Sequence, residues 1–248
     1  RSCFGNTRKC YFKALRAILN RANAEGVGSV ATYPFGRGGF EVSKLEEATA
    51  KRYLPAAELS KLKSATANNP QCEYARKLFL FSYYCYGISF IDMAMLTAAH
   101  IKQMEDGDYI VYKRQKIKRQ KGVKPISIKI TPAIRQLIGS LQAGSPTVDD
   151  FLLPVVTRSG YTGERLYMHI RTRYSKYQKY LRLLAEELGI DFHLTSYVSR
   201  HTAAMTLQRN HIPREVISQM LGHADLETTN VYLDSFDNGV INEAAKVL

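Results

Sequence analysis

Residues 107–130 read GDYIVYKRQKIKRQKGVKPISIKI. On both sides of this stretch apolar residues recur every three or four positions, the period of a helix buried along one face. Within it the period drops to two, which places successive side chains on opposite faces of a strand. The stretch therefore predicts two or three short antiparallel strands joined by basic turns. The expected fold class is mainly α with a small antiparallel β-sheet, an α+β domain with the sheet inserted among helices.

Upstream, NPQCEYARKLFLFSYYCYG (69–87) reads as a long, nearly all-apolar helix. Asn69 suits its cap, Pro70 its first turn and Gly87 its stop. SFIDMAMLT (89–97) follows, and Ser89 with Asp92 three residues on resembles a capping box. Before these, LPAAELSKLKSA (54–65) is helical, with Pro55 in its first turn. RKCYFKALRAILNRANA (8–24) places Phe12, Leu15, Ile18, Leu19 and Ala22 on one face, and GVGSVATYPFGRGGF (26–40) reads as irregular linker.

Downstream, Thr131 and Pro132 open another helix, and a long one is expected near 166–188. Three shorter helices follow in TSYVSRHTAAMTLQRN (195–210), PREVISQMLG (213–222) and DLETTNVYL (225–233), with Asp225 capping the last. The tail GVINEAAKVL (239–248) sets Val240, Ile241, Ala244, Val247 and Leu248 along one helical face.

The chain has 248 residues, 45% of them hydrophobic, enough for a sizeable core, and a formal net charge of +13. Such a charge points to a polyanionic partner, most often nucleic acid. FLFSYYC (79–85), the longest apolar stretch, is too short to span a bilayer. The first residues carry no signal-peptide core and no Met, the look of a trimmed chain. Cys3, Cys10, Cys72 and Cys85 lack CxxC spacing and the histidines lack HxxxH or HExxH spacing, so neither a metal nor a cofactor is expected. Reduced cysteines and the absence of a signal segment fit a cytoplasmic protein.

Seven of the twelve residues 113–124 are Lys or Arg. In a strand-and-turn pattern on a basic protein, Lys113, Arg114, Lys118, Arg119 and Lys121 are candidate phosphate contacts. Tyr197 and Arg200, three apart, share a helix face. LGHADLETTNVYL (221–233) admits two readings. It fits a helix–turn–helix that binds DNA without chemistry, or the end of an active site carrying His223 and Tyr232.

Arg200, His223 and then Tyr232 nine residues on, behind a lysine-bearing hairpin, resemble the tyrosine recombinase (phage integrase) family over about 200 residues. The resemblance implies a catalytic integrase domain at 51–248. Before it, 1–50 would be the C-terminal part of a helical core-binding (SAM-like) domain plus linker. It implies that Tyr232 attacks a DNA phosphodiester and leaves a 3′-phosphotyrosine, without metal. Arg200 would be the second of the family's two arginines, and His223 would donate to the phosphate. Lys116 would be the general acid, with Lys118 and Lys121 left open by the undetermined turn.

Two departures stand out. Ser89 occupies the place of the family's first arginine, and Tyr197 the place of a histidine three residues before the second. A branch of the family on integrative mobile elements and inversion systems lacks that first arginine, and this chain resembles it. Arg76 and Arg165 are candidate substitutes. The partner implied is double-stranded DNA at specific recombination sites, bound by a tetramer linked through the C-terminal tail, in a prokaryotic cytoplasm and on the nucleoid. A type IB topoisomerase is the rival with the same chemistry.

Overall fold

The computed structural model describes residues 5–36, 38–47, 52–223, 229 and 233. The chain divides into two compact units, Arg1–Ala50 and Lys51–Leu248. Tyr232, Asp225 and the tail 239–248 lie outside the described residues.

The first unit is built on α1 (Gly5–Ala24). The Phe12 ring of α1 packs on Phe40 and Phe35, with centroids 4.7 and 6.4 Å away. Residues 26–40 are thus more than irregular linker. They hold a short 3₁₀ turn at Val30–Thr32 and a bridge pairing Phe35 with Phe40. Lys9 pairs with Glu46, and the Gly5 amide donates to Glu47 at 3.1 Å. Of the face expected to be apolar and covered, Leu15 and Ile18 are exposed in this unit.

The second unit is the mostly helical, small-sheet architecture expected. Among the described residues its α-helices are α2 (Ala56–Ser64), α3 (Pro70–Tyr84), α4 (Phe90–Ala94), α5 (Pro132–Gly144), α6 (Gly163–Glu187), α7 (Ser196–Arg209) and α8 (Arg214–Leu221). Three short-range signals set helix starts. Asn69 accepts from the amides of Gln71 and Cys72, at 2.8 and 3.4 Å, to cap α3. Thr131 caps α5 through the Ile134 amide. Ser89 accepts from the Asp92 amide at 3.3 Å to cap α4. Pro55 sits at the cap of α2, one position ahead of the first turn where it was expected.

The sheet has the order β1-β2-β3, all antiparallel, with β1 at Ile101–Met104, β2 at Gly107–Tyr112 and β3 at Ile126–Lys129. β1 lies ahead of the alternating stretch, and it meets β2 through an acidic turn instead of a basic one. Met104 faces Gly107 across the two residues Glu105 and Asp106. At this end Lys129 pairs with Asp106 at 2.8 Å and Arg135 with Asp108 at 2.7 Å. The basic residues 113–124 leave the opposite end of β2.

Most of the buried apolar residues described form one cluster. It includes Phe79 and Phe81 of α3, Ile110 and Ile128 of the sheet, and Leu181 and Leu184 of α6, each fully buried. α3 packs against α5, α6 and α7. A smaller cluster joins Ala204 and Met205 of α7 to Ile217 and Leu221 of α8 and to Leu233. Among the described residues, no helix is long and apolar enough to cross a membrane.

Candidate functional site

α7 brings Arg200 into the protein, not out to solvent. The residue is 3% exposed. Its guanidinium donates from Nη1 to the Gly87 carbonyl at 2.9 Å, and from Nη2 to the Leu221 carbonyl at 2.5 Å. Gly87 ends the turn after α3 with φ of +71°, and Gly222 ends α8 in the left-handed region at +63°. The carbonyl of the turn after α3 and the last carbonyl of α8 are thus both directed at one guanidinium and fix its position.

The same Nη2 lies 2.9 Å from Nε2 of His223, whose Nδ1 lies 2.8 Å from Oγ1 of Thr229. The carbonyl of Gly222 accepts from Nη1 of Arg114 at 3.2 Å. The structure thus brings Arg200, His223 and Arg114 together.

Beside them opens a cleft of about 420 Å³ between the start of α4, α6 and α7. Arg114, Arg171 and Arg200 supply its charge. Tyr167, Tyr174 and Tyr197 supply exposed rings, over a floor that includes Ile88, Phe90 and Ile170. The arrangement suits an anion carried on a flat or apolar body: guanidinium groups for phosphate oxygens and rings for what is attached to them. Tyr197 lines this cleft and stacks edge-on to His201 at 5.3 Å.

Ser89 lines the cleft as well, yet its hydroxyl is turned to Asp92 at 2.6 Å. The other oxygen of Asp92 accepts from the amide of Gln115 at 2.7 Å. A buried carboxylate with two such donors pins the start of the basic segment next to α4. Tyr112 lies in the same region. Burial pushes its phenol far above the usual tyrosine range, the Asp92 carboxylate raises it further, and the Arg200 guanidinium opposes both.

The remaining sites expected from sequence fall elsewhere. Lys116, Lys118, Arg119 and Lys121 are exposed in successive turns between β2 and β3, and Lys113 is exposed where that segment begins. Of the basic residues 113–124, Arg114 lines the cleft. Arg76 is no substitute for an arginine at position 89. Its guanidinium makes a two-pronged bond to Glu73, both contacts at 2.7 Å, and donates to the Leu62 carbonyl at 2.9 Å. Arg165 is exposed in the first turn of α6 and does not line the cleft. Arg171 was not foreseen. The signal available was the i, i+4, i+7 spacing of Tyr167, Arg171 and Tyr174, which sets three adhesive side chains on one helical face.

A basic helical domain with a small sheet, holding a guanidinium and an imidazole together at the edge of an arginine-lined cleft, is the class of protein that these features define. A family model described as the phage integrase family matches residues 52–238, and the chain belongs to that family. A tyrosine recombinase XerD from Halalkalibacterium halodurans is 41% identical over 54 residues, which cover 22% of this chain and 18% of that relative. The chain thus matches less than a fifth of the length of this curated relative. Among solved structures, the Tn1549 transposon integrase in complex with transposon right end DNA superimposes with a TM-score of 0.68 at 13% identity, over 99% of this chain and 80% of that one. XerA recombinase gives 0.55 at 21% identity, over 82% and 67%. A lambda integrase dimer bound to a core site gives 0.57 at 14%, over 94% and 77%. At these identities the likeness is one of fold.

Proposed function

We propose that the protein is a site-specific DNA recombinase that cuts and rejoins duplex DNA through a 3′-phosphotyrosine at Tyr232. The observation that carries this reading is the contact between Arg200 and His223. Two groups suited to phosphate, 23 residues apart in the chain, meet at a cleft lined by further arginines. A regulator that only binds DNA has no use for a buried guanidinium fixed by helix-end carbonyls. In this reading Arg200 and His223 hold the non-bridging oxygens of the scissile phosphate, and Tyr197 donates a third hydrogen bond. Lys116 protonates the leaving 5′-oxygen, and Lys113, Lys118, Arg119 and Lys121 grip neighbouring phosphates. Cationic side chains supply the charge stabilisation, so the reaction needs no metal or cofactor.

Arg114 takes the part of the arginine that Ser89 replaces. It lines the same cleft and bonds to the carbonyl of Gly222, the residue before His223. Its position follows from the Ser89–Asp92–Gln115 chain of hydrogen bonds, so the serine places the charge without carrying it. Arg76 is held by Glu73, and Arg165 does not line the cleft. On this basis the chain belongs to the mobile-element and inversion branch of its family. Residues 1–50 then act as the end of a core-binding domain, and the tail 239–248 links protomers into a tetramer on two DNA sites, in a prokaryotic cytoplasm.

The test is a nicked duplex built from the DNA flanking the gene, incubated with the protein and resolved under denaturing conditions. A covalent adduct that disappears in Tyr232→Phe is the expected result. Binding without adduct would establish the non-catalytic reading, and relaxation of plasmids that lack any such site would indicate a topoisomerase.

A further inference from the structure

We infer that Thr229 is the positioning residue that holds the His223 ring in place in either tautomer, so that the tautomer set by Arg200 can reverse when a phosphate enters. A guanidinium has five N–H donors and no acceptor. The 2.9 Å contact between Arg200 Nη2 and His223 Nε2 therefore has one sense, with the arginine donating and Nε2 accepting. An imidazole whose Nε2 accepts is neutral and carries its proton on Nδ1. That proton is directed at Oγ1 of Thr229, 2.8 Å away. Thr229 is fully buried, so the hydroxyl has a fixed place. His223 is thus a neutral, Nδ1-protonated ring bonded at both nitrogens.

The role proposed for His223 requires the opposite. To donate to a phosphate oxygen, Nε2 must carry a proton. A hydroxyl is the one kind of neighbour that serves both states without moving the ring, because it accepts from Nδ1–H or, after rotating about its C–O bond, donates to a bare Nδ1. A carboxylate at this place would accept only and fix the proton on Nδ1. When a phosphate draws the Arg200 guanidinium toward itself, Nε2 loses its donor. The ring then takes the Nε2–H form, with Thr229 donating to Nδ1. The balance is a proton moved from Nδ1 to Nε2 through solvent, with no change in net charge. Thr229 touches no substrate in this scheme; it acts through the histidine. The role during cleavage rests on the recombinase reading, whereas the resting tautomer does not.

The experiment is long-range proton–nitrogen NMR of the ¹⁵N-labelled chain at mildly alkaline pH. The His223 signals are identified by their loss in His223→Gln. In the unmodified protein and in Thr229→Ser, the proton is expected on Nδ1. In Thr229→Val and Thr229→Ala, the proton should stay on Nδ1, where Arg200 keeps it, but its exchange with solvent should quicken about fivefold, the worth of one ordinary hydrogen bond. A proton on Nε2 in the unmodified protein, or an unchanged Nδ1–H exchange rate in Thr229→Val, overturns the inference. Should neither truncated variant fold, the Nδ1–H signal of the unmodified protein decides. Protection from solvent exchange supports the contact with Thr229, and exchange too fast to observe overturns it. On the nicked duplex, Thr229→Val is expected to slow adduct formation about tenfold with DNA affinity unchanged, and Thr229→Ser to restore it. Absence of any adduct from the unmodified protein would sink the recombinase reading and leave the tautomer result standing.

Discussion

Gly87 and Arg200 are packed against one another so closely that a Cβ on Gly87 would lie 2.5 Å from the Arg200 Cα and 2.6 Å from its Cβ. α7 can pass the end of α3 at this distance only because position 87 has no side chain. The buried hydroxyls of Ser82 and Ser199, 2.8 Å apart, hold the same two helices together. The turn that precedes Ser89 therefore also fixes how deep Arg200 sits. Gly87→Ala meets both this clash and a φ of +71°. A left-handed non-glycine residue costs about 1–2 kcal/mol and overpacking about 1–3. Urea unfolding should register a loss of about 2–5 kcal/mol, and a loss under 1 would show that α7 can retreat freely.

Arg200→Ala removes the donor for two helix-end carbonyls as well as the proposed phosphate ligand. Adduct formation should fall at least about a hundredfold, as for loss of a preorganised charge-stabilising donor. Stability should fall by about 1–3 kcal/mol from the carbonyls left unbonded. DNA affinity should change little, since one phosphate contact is a small share of the whole. A collapse of affinity in a folded variant would make Arg200 a binding residue.

Arg114→Ala should reduce adduct formation to a similar degree, while Lys113→Ala, one residue away, should leave it within a few-fold. Ser89→Ala frees Asp92 from one of its donors and should give an intermediate loss, because it acts only through the placing of Arg114. Equal and small effects of all three changes, measured as single-turnover rates on the nicked duplex, would remove Arg114 from the site.

The Glu73–Arg76 pair predicts a pH dependence of stability. Burial raises the Glu73 carboxyl, but hydrogen bonds from Arg76 and the Ala67 amide outweigh it and hold the group below its ordinary value. A carboxyl lowered by folding stabilises above its unfolded pKa, and that share is lost as pH falls through the folded one. Arg76→Ala leaves a half-buried carboxylate with Lys77, 4.0 Å away, in place of its two-pronged partner and should cost about 1–3 kcal/mol at neutral pH. The difference between variant and parent should shrink as acid protonates Glu73. A difference independent of pH would mean that Arg76 stabilises by packing alone.

Lys116, Lys118 and Lys121 are exposed on one basic segment, and each neutral replacement that removes a phosphate contact should lower the salt slope of DNA binding by about 0.9. Lys116→Ala should in addition slow cleavage, a loss recovered on a substrate with a better leaving group than the 5′-oxygen. Recovery for Lys118 or Lys121 instead would move the general acid to that residue.

How much of this was legible in the sequence follows from the range of each interaction. Caps at Asn69, Ser89 and Thr131 were readable because each depends on residues two or three apart. β1 was not, because Ile101–Met104 is almost wholly exposed and shows no alternation. Arg76 looked available because a lone arginine in an apolar helix gives no sign that Glu73 and a carbonyl of α2 enclose it. The same limit hid the difference between Arg114 and its basic neighbours, which is decided by Asp92 at a distance of 23 residues. Thr229 stood in plain view within a motif, but its partner is a ring nitrogen that spacing cannot orient.

The sheet carries one more consequence. β2 begins at the acidic corner of Asp106 and Asp108 and ends at a run of lysines and arginines, roughly 20 Å away for a strand of six residues. At the first end Lys129 and Arg135 neutralise the carboxylates, so the uncompensated positive charge gathers at the other end, beside the cleft. In the field of a polyanion such a body experiences a torque before it makes any contact. A molecule built this way would arrive already turned, and added salt would slow its approach as well as loosen its hold.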